Sequence, residues 1–320
     1  MNLASFVYQQ YVNSGRLGRK LWSIPRKMLI KLLGDPMCGM TIHGRKLQMR
    51  VSHSLPGYLK DFPLYDRLPQ RLSRYVKRKS DRLTVIDVGA NIGDTIAAFY
   101  TDASDRFLAI EPDPNFRKFL QANWGQNPNV KIISDLCSSE SLQGTFKIEE
   151  KNGTASLVPS TDGLAMRSRT LDDILKEHSF AADADVLKVD TDGHDFKVLA
   201  GARDWIAHRK PIVLFECAPF GNPRFVQDTI DTLSGFARSG YSHCLLYSNL
   251  GNLVGKFSLN ELSPIKNLLF YQVLTDSLYY DVLLVPESDL ATFYASEVDF
   301  FVGQIGAQGM RETAKLAISG

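Results

Sequence analysis

An apolar run that ends in closely spaced glycines and acids is the segment of the sequence best suited to chemistry. Residues 85–94 read VIDVGANIGD, in which Gly89 and Gly93 are expected to turn the chain from a buried strand into a helix. Glycines at such a turn let the backbone pass close to a ligand at the helix N-terminus. Asp87 and Asp94 make the turn negative, which repels a pyrophosphate and suits a positively charged ligand.

Glu111 is the second part of the same predicted site. It ends the next apolar run, 22 residues after Gly89, where a doubly wound sheet places a carboxylate that accepts hydrogen bonds from both hydroxyls of a ribose. The glycine spacing is G-x-x-x-G rather than the G-x-G-x-x-G that holds a pyrophosphate. A ribose and a cation together point to S-adenosylmethionine. An NAD-dependent Rossmann oxidoreductase, which shares the fold, is the alternative.

A second polar group follows the fourth apolar run, where residues 187–195 read LKVDTDGHD. Lys188 lies inside an apolar strand, and because a buried lysine needs a partner we predict an ion pair with Asp190 or Glu216. Helix capping by Asp192 would account for part of the group. Ligands bind outside the carboxyl ends of parallel strands, so we expect this group to face the ligand of the glycine turn.

A sheet is needed to position these groups, and the sequence after residue 80 predicts one. Short β-branched runs alternate with amphipathic helical windows, which is the pattern of βαβ units and a parallel sheet. Lys151-Asn152-Gly153 predicts a hairpin. The predicted strands are 83–89, 106–111, 129–134, 185–190 and 211–216, the predicted helices are 115–124, 170–178, 194–208 and 224–238, and strands 242–248 and 279–286 are expected to pair antiparallel at the sheet edge.

The near-neutral net charge of +2 hides a strong asymmetry along the 320 residues. Residues 1–80 contain 16 Lys and Arg against 3 Asp and Glu, whereas residues 81–320 contain 21 against 32. A basic segment of this strength predicts an anionic partner. We therefore predict a basic N-terminal extension at 1–80, an α/β domain at 81–300 and a frayed C-terminal tail at 301–320.

Residues 16–31 alternate basic and apolar side chains and are expected to be broken at Pro25. Such a segment either rests on an anionic bilayer or is an amphipathic helix that folds back on the body.

The sequence has no apolar run of signal-peptide or membrane-spanning length. The four scattered cysteines fit reduced core thiols. We expect a cytoplasmic protein, and the bilayer interpretation adds peripheral contact with the inner face of the membrane.

Six motifs together resemble the FkbM-type family of S-adenosylmethionine-dependent methyltransferases. The resemblance covers about residues 80–290 and implies a Rossmann-like class I methyltransferase sheet, mostly parallel with an antiparallel last strand and helices on both faces. It also implies methyl transfer to a hydroxyl oxygen. Asp192 and Asp195 stand where the family more often has glutamate, which shortens their reach. The motifs are VIDVGANIGD at 85–94, IEPDP at 110–114, NGTASL at 152–157, RTLDDIL at 169–175, LKVDTDGHDFKVLAGA at 187–202 and PIVLFE at 211–216.

The chemistry needs a group that removes a proton from the acceptor. His194, held by a neighbouring carboxylate, is the first choice of general base. Alternatively, Asp190, Asp192 and Glu216 hold a magnesium ion that lowers the pKa of the acceptor. The residues predicted to bind the cofactor are Asp87, Gly89, Asn91, Gly93, Asp94, Glu111 and Asp113, and those predicted near the transferred methyl group are Lys188, Asp190, Asp192, His194 and Glu216.

The acceptor implied by the resemblance is a sugar or glycan hydroxyl of surface-polysaccharide biosynthesis. The basic N-terminal part fits an acceptor that is phosphorylated or lipid-linked. No nucleic acid partner is expected, because the Pro-Pro-Tyr/Phe loop of amino-methyltransferases is absent after residue 189. A non-catalytic S-adenosylmethionine-binding protein remains a second alternative.

Overall fold

The computed structural model describes residues 2–151, 154–159, 164–275 and 278–318. The chain divides into two units: unit 1 is Met1–Leu136 with Leu142–Ser168, and unit 2 is Cys137–Ser141 with Arg169–Gly320. The predicted boundaries at residues 80 and 300 stay a prediction. In the described ranges, no helix has the length and apolar character needed to cross a membrane.

Three parallel strands carry the glycine turn of unit 1, residues 89–93. β3 pairs with β4 and β4 with β5, all in parallel register. Every residue of β3 is buried, as expected for a parallel strand covered on both faces. The elements of this unit are α1 (Leu3–Asn13), α2 (Arg16–Leu32), β1 (Met37–Ile42), β2 (Arg45–Arg50), α3 (Leu55–Asp61), α4 (Leu68–Lys77), β3 (Thr84–Val88), α5 (Asp94–Phe99), β4 (Arg106–Ile110), α6 (Pro114–Trp124), β5 (Val130–Ile133), β6 (Leu136–Cys137, at the border of the units), β7 (Leu142–Lys151), β8 (Thr154–Pro159) and β9 (Leu164–Arg169).

Two hairpins belong to unit 1, and the sequence predicted one of them. β7 and β8 pair antiparallel with Lys151 opposite Thr154, which agrees with the predicted hairpin; its turn residues 152–153 lie outside the described residues. β1 and β2 form a hairpin that was not predicted. Its turn residues His43 and Gly44 both have positive φ, 47° and 79°, which is the type I′ geometry that matches strand twist.

The strands of unit 2 run in both directions. β10 and β11 are parallel, and β14 pairs antiparallel with β11 and with β12. The predicted antiparallel pair is therefore confirmed, but β13 lies outside β12 and pairs with it, so the predicted edge is wrong. The elements are α7 (Leu171–Glu177), β10 (Val186–Val189), α8 (Asp195–Ala200), α9 (Arg203–Arg209), β11 (Ile212–Cys217), α10 (Phe225–Arg238), β12 (His243–Ser248), β13 (Leu253–Ser258), α11 (Ser263–Thr275), β14 (Tyr280–Leu284), α12 (Glu287–Gln304) and α13 (Gln308–Ile318).

The fold is thus of the mixed α/β class, with a mostly parallel sheet and helices around it, as predicted. Within unit 1 the paired parallel strands are β3, β4 and β5, and unit 2 has the five paired strands β10 to β14. Helix starts follow local chemistry: Asp113 accepts a hydrogen bond from the Asn115 amide ahead of α6, and Thr170 accepts one from the Asp173 amide ahead of α7. Both starts lie where the sequence placed them.

Three predicted details are wrong. The helix expected over 194–208 is two helices that are interrupted at Gly201 and Ala202, and a Cβ at Gly201 would overlap the Ser138 carbonyl, so only glycine fits there. α2 runs without a break through Pro25. The carbonyl that Pro25 leaves unbonded is that of Leu21, on the solvent side of the helix, where water can satisfy it. The tail expected to fray is helical: α12 continues to Gln304 and α13 spans Gln308–Ile318, with Gly306 between the two helices.

Candidate functional site

The glycine turn of unit 1 is built from backbone conformations that most residues avoid. Gly89, Asn91 and Gly93 have φ values of 81°, 46° and 84°, in the left-handed region that favours glycine and tolerates asparagine. The amides of Gly89 and Ala90 donate to the Ile110 carbonyl at 2.9 and 3.1 Å. The turn therefore stays joined to the end of β4 while it leads into α5.

Side chains of α6 hold the other end of the turn. Trp124 Nε1 donates to the Gly93 carbonyl at 2.9 Å, and Asn123 Nδ2 donates to the Ile92 carbonyl at 2.9 Å. A Cβ at Gly93 would overlap the Trp124 ring. The indole thus fills the space that a side chain would need, and only glycine fits there.

Substitution of Gly93 by alanine should lower the free energy of unfolding by about 2–4 kcal/mol, because a positive φ and an overlap with Trp124 are combined at one position. Gly44→Ala is the matched control. Gly44 also has positive φ but nothing lies within 4 Å of its Cβ position, so the loss should be about 1 kcal/mol. Urea unfolding measures both, and equal losses would show that the indole contact does not constrain the turn.

Glu111 is oriented by backbone groups on both sides. The amide of Asn91 donates to Oε2 and the amide of Asp113 donates to Oε1, each at 2.8 Å. The side chain is buried, and burial, with the charges of Asp113 and Asp87 adding to it, raises the pKa of Glu111 from 4.5 to about 7. A cation or hydroxyl donors beside Glu111 would stabilise the charged form of its carboxyl group.

Two further groups in unit 1 belong to this neighbourhood. Asp87 is fully buried at the end of β3, and its charge acts on Glu111. His53 lies near the side chain of Asn91, which acts on its pKa, and burial lowers the pKa of His53 to about 4. Sequence reasoning missed His53, because nothing in the local pattern around it indicates a contact 38 residues away. All the predicted cofactor residues, from Asp87 to Asp113, lie in unit 1.

The second polar group lies in unit 2 at the end of β10. Lys188 is 9% exposed, and its Nζ lies 3.0 Å from Oδ2 of Asp190. The prediction of an ion pair for this lysine is confirmed, with Asp190 as the partner. A buried ammonium with a carboxylate beside it avoids the large cost of an isolated buried charge.

Three carboxylates of this group lie close enough to share a ligand. Asp190, Asp192 and Glu216 each offer an oxygen within 4.8 Å of the others. Burial raises the pKa of Glu216 well above its ordinary value, and the charges of Asp190 and Asp195 raise it further. Oε2 of Glu216 is shielded from solvent and accepts no hydrogen bond from the described residues. Oxygen ligands of this kind suit magnesium.

His194 lies directly before α8, and its surroundings differ from those predicted. Nε2 of His194 lies 3.0 Å from Oγ of Ser138, so a hydroxyl rather than the expected carboxylate holds this nitrogen. Burial, with the charge of Lys197 adding to it, lowers the pKa of His194 to about 4. The ring is therefore neutral at pH 7 and able to accept a proton, although it is a weaker base than an ordinary histidine.

Asp195 and Asp192 complete the group. Asp195 is buried and accepts hydrogen bonds from the Thr191 hydroxyl at 3.1 Å and the Gly193 amide at 3.3 Å. Burial and the charge of Asp190 raise its pKa to about 7. Asp192 does not cap α8, because His194 occupies the position before the helix and Asp192 has a positive φ of 50°. Capping therefore does not account for Asp192.

The fold and the site define the class of this protein: an α/β protein whose glycine turn and buried glutamate follow the first two strands of a parallel set. Residues 87–242 match the family model described as the methyltransferase FkbM domain. This segment of the chain is thus a methyltransferase domain of FkbM type, and the resemblance read from the motifs is confirmed. The matched range contains every predicted site residue from Asp87 to Glu216.

Solved structures that resemble the chain include three methyltransferases. The FkbM methyltransferase of Methylobacillus flagellatus KT is 22% identical with a TM-score of 0.38, and the match covers 52% of this chain and 40% of that chain. The precorrin-6y C5,15-methyltransferase of Geobacter metallireducens GS-15 is 13% identical over 68% of this chain and 87% of that one, with a TM-score of 0.35. The plantazolicin methyltransferase BpumL, in complex with SAH, is 10% identical over 89% and 96%, with a TM-score of 0.35.

No protein with a curated description matches the sequence. The family assignment rests on the sequence match at residues 87–242. The match spans 40% of the length of the Methylobacillus flagellatus protein.

Proposed function

We propose that this protein is an S-adenosylmethionine-dependent O-methyltransferase that acts on a hydroxyl of a sugar or glycan. The main support for S-adenosylmethionine as the cofactor is the buried Glu111. Two backbone amides hold its carboxyl group beside the glycine turn, whose residues 89, 91 and 93 have positive φ. The methyltransferase FkbM domain at residues 87–242 supports the reaction class. It also favours methyl transfer over the NAD-dependent alternative.

The donor set of unit 1 fits S-adenosylmethionine. Glu111 and Asp87 are buried acids whose charges disfavour each other, so a ligand with a positive charge stabilises both. Glu111 would accept hydrogen bonds from the ribose hydroxyls, while Gly89, Asn91 and Gly93 leave the turn free of bulky side chains. When bound, S-adenosylmethionine supplies a methyl carbon that its positively charged sulfur activates.

The residues of unit 2 are proposed to orient the acceptor and remove its proton. His194 is neutral at pH 7, so it can take the proton that the acceptor hydroxyl releases. Burial raises the pKa of Glu216 well above its ordinary value, so its carboxylate is a stronger base than that of an ordinary glutamate and could also take this role. Lys188 and Asp190, paired at 3.0 Å, offer a donor and an acceptor for a sugar hydroxyl.

A magnesium ion is the alternative for lowering the pKa of the acceptor. Asp190, Asp192 and Glu216 have the right ligand chemistry. The ammonium of Lys188 already places one positive charge beside these carboxylates, and this favours a route without a metal ion. The two routes differ in whether a chelator changes the reaction.

The acceptor is proposed to be a surface polysaccharide or a phosphorylated or lipid-linked sugar precursor. The 16 basic residues among the first 80, against 3 acidic ones, support an acceptor that carries phosphate. We also propose a cytoplasmic location, since the four cysteines are buried free thiols.

Mass spectrometry of candidate glycans and sugar phosphates tests the proposal. Each is incubated with the protein and S-adenosylmethionine, and the expected product is heavier by one methylene, with unchanged yield after EDTA treatment. Loss of product in EDTA and its recovery with magnesium would establish the metal route. Tight NAD binding without S-adenosylmethionine binding would overturn the proposed reaction, and S-adenosylmethionine binding without any product would favour a non-catalytic protein.

A further inference from the structure

Helix α2 of unit 1 carries a line of apolar side chains on its solvent side. The spacing of the five residues is four, three, four and four, which keeps them on one face of an α-helix. The line is well exposed along its whole length. Its members are Leu17 (78% exposed), Leu21 (70%), Ile24 (60%), Met28 (53%) and Leu32 (71%).

A row of cations runs beside this apolar line. Arg16, Lys20, Lys27 and Lys31 are all exposed, and their helical spacing places them on one flank of the line. α2 contains no acidic residue. The exposed surface of the helix therefore combines an apolar strip with a purely positive edge.

The opposite face of α2 is fixed to the rest of unit 1. Arg26 stacks over the ring of Tyr8 at 4.7 Å and donates to the Val51 carbonyl at 3.0 Å. Arg19 forms an ion pair with Asp61 at 2.6 Å. These contacts use the inward arginines to hold the helix, so the apolar line does not fold back on the body. The helix thus folds back on unit 1 through its inward face, as one of the two interpretations of residues 16–31 predicts, while its apolar line stays exposed.

We propose that α2 lies on the surface of an anionic lipid bilayer. Its apolar line would enter the boundary between headgroups and acyl chains, and its cations would contact lipid phosphates. Charge complementarity selects this partner over the α2 helix of a second copy, because that helix would bring the same positive charge with no acid to pair with. This inference concerns unit 1 alone and goes beyond the proposed methyl transfer.

Vesicle flotation of the full chain tests the proposal. The protein should float with vesicles of phosphatidylcholine mixed with phosphatidylglycerol and stay behind with phosphatidylcholine alone, and added sodium chloride should weaken the binding. Equal binding to both vesicle types, or no binding to either, would overturn it. A dimer that forms in solution and covers α2 would also overturn it.

Paired variants tie the binding to α2. Leu21→Glu combined with Ile24→Glu should weaken binding to the anionic vesicles at least about tenfold, since two apolar side chains that enter the bilayer become charged. The matched control is Leu316→Glu, an exposed leucine (78%) of α13, which should leave binding unchanged. Both variants should fold, because the changed side chains are exposed. Thermal melting and the affinity for S-adenosylmethionine check this. Unchanged vesicle binding by the folded double variant would contradict the proposal.

Discussion

Glu111→Ala should weaken S-adenosylmethionine binding at least about tenfold, which is the loss expected when hydrogen bonds to a charged acceptor disappear. In the free protein the carboxylate is held at 2.8 Å by the amides of Asn91 and Asp113, so it is already oriented for the ribose hydroxyls. Isothermal titration calorimetry measures the dissociation constant. Glu261→Ala, at an exposed glutamate, is the control and should bind as the native protein does.

The pH dependence of the same affinity gives an independent test. The pKa of Glu111 is raised from 4.5 to about 7, and a bound cation with hydroxyl donors favours the charged form. Affinity should therefore rise as the pH increases from about 5 to 8 and level off above that. Glu111→Gln cannot titrate and should lose this rise, while the titration of the ligand itself is common to both proteins. An equal rise in affinity for the native protein and for Glu111→Gln would show that Glu111 does not accept the hydrogen bonds of the ribose hydroxyls.

The same shift acts on stability with a defined sign. In the folded protein Glu111 keeps its proton up to about pH 7, whereas the unfolded chain releases it near 4.5. Between these values the folded state binds more protons, so the contribution of this group to the free energy of unfolding falls as the pH rises. The cofactor offsets this loss when it binds the charged form.

His194→Ala should lower kcat by about a hundredfold to ten-thousandfold, the range for loss of a general base, while the dissociation constant for S-adenosylmethionine stays the same. Its Nε2 lies 3.0 Å from Oγ of Ser138, a neighbour within unit 2. His208→Ala, at an exposed histidine of α9, is the control. The assay uses the acceptor that mass spectrometry identifies.

A second pair of variants separates the base from its neighbours. Ser138→Ala removes the hydroxyl that holds the ring, and kcat should fall by about tenfold because the ring is less well oriented. Glu216→Gln should retain the fold and part of the activity if His194 is the base. Full activity in His194→Ala together with loss of activity in Glu216→Gln would assign the role of general base to Glu216, whose pKa is raised by burial.

Elements with a strong local pattern could be predicted from the sequence. The apolar runs gave the strands β3, β4, β5, β10 and β11 within two residues of their bounds. The hairpin at residues 37–50 could not be predicted, because its turn is His43-Gly44 and not one of the common Asn-Gly or Asp-Gly pairs. Likewise, the close approach of Gly201 to the Ser138 carbonyl, which lies 63 positions earlier, could not be predicted from the local pattern.

For the candidate site, the sequence by itself determined which residue types stand at the strand ends: the glycine turn, Glu111, and the group from Lys188 to Asp195. Local backbone chemistry and strand periodicity are sufficient for that. Only the tertiary structure decided the partners and proton affinities, since burial and distant charges set them. His194 bonds to Ser138, and its pKa falls to about 4 through burial and Lys197, while burial raises that of Glu111 to about 7. The same holds for α2: its sequence showed an amphipathic helix, and only the contacts of Arg19 and Arg26 decided which face meets solvent.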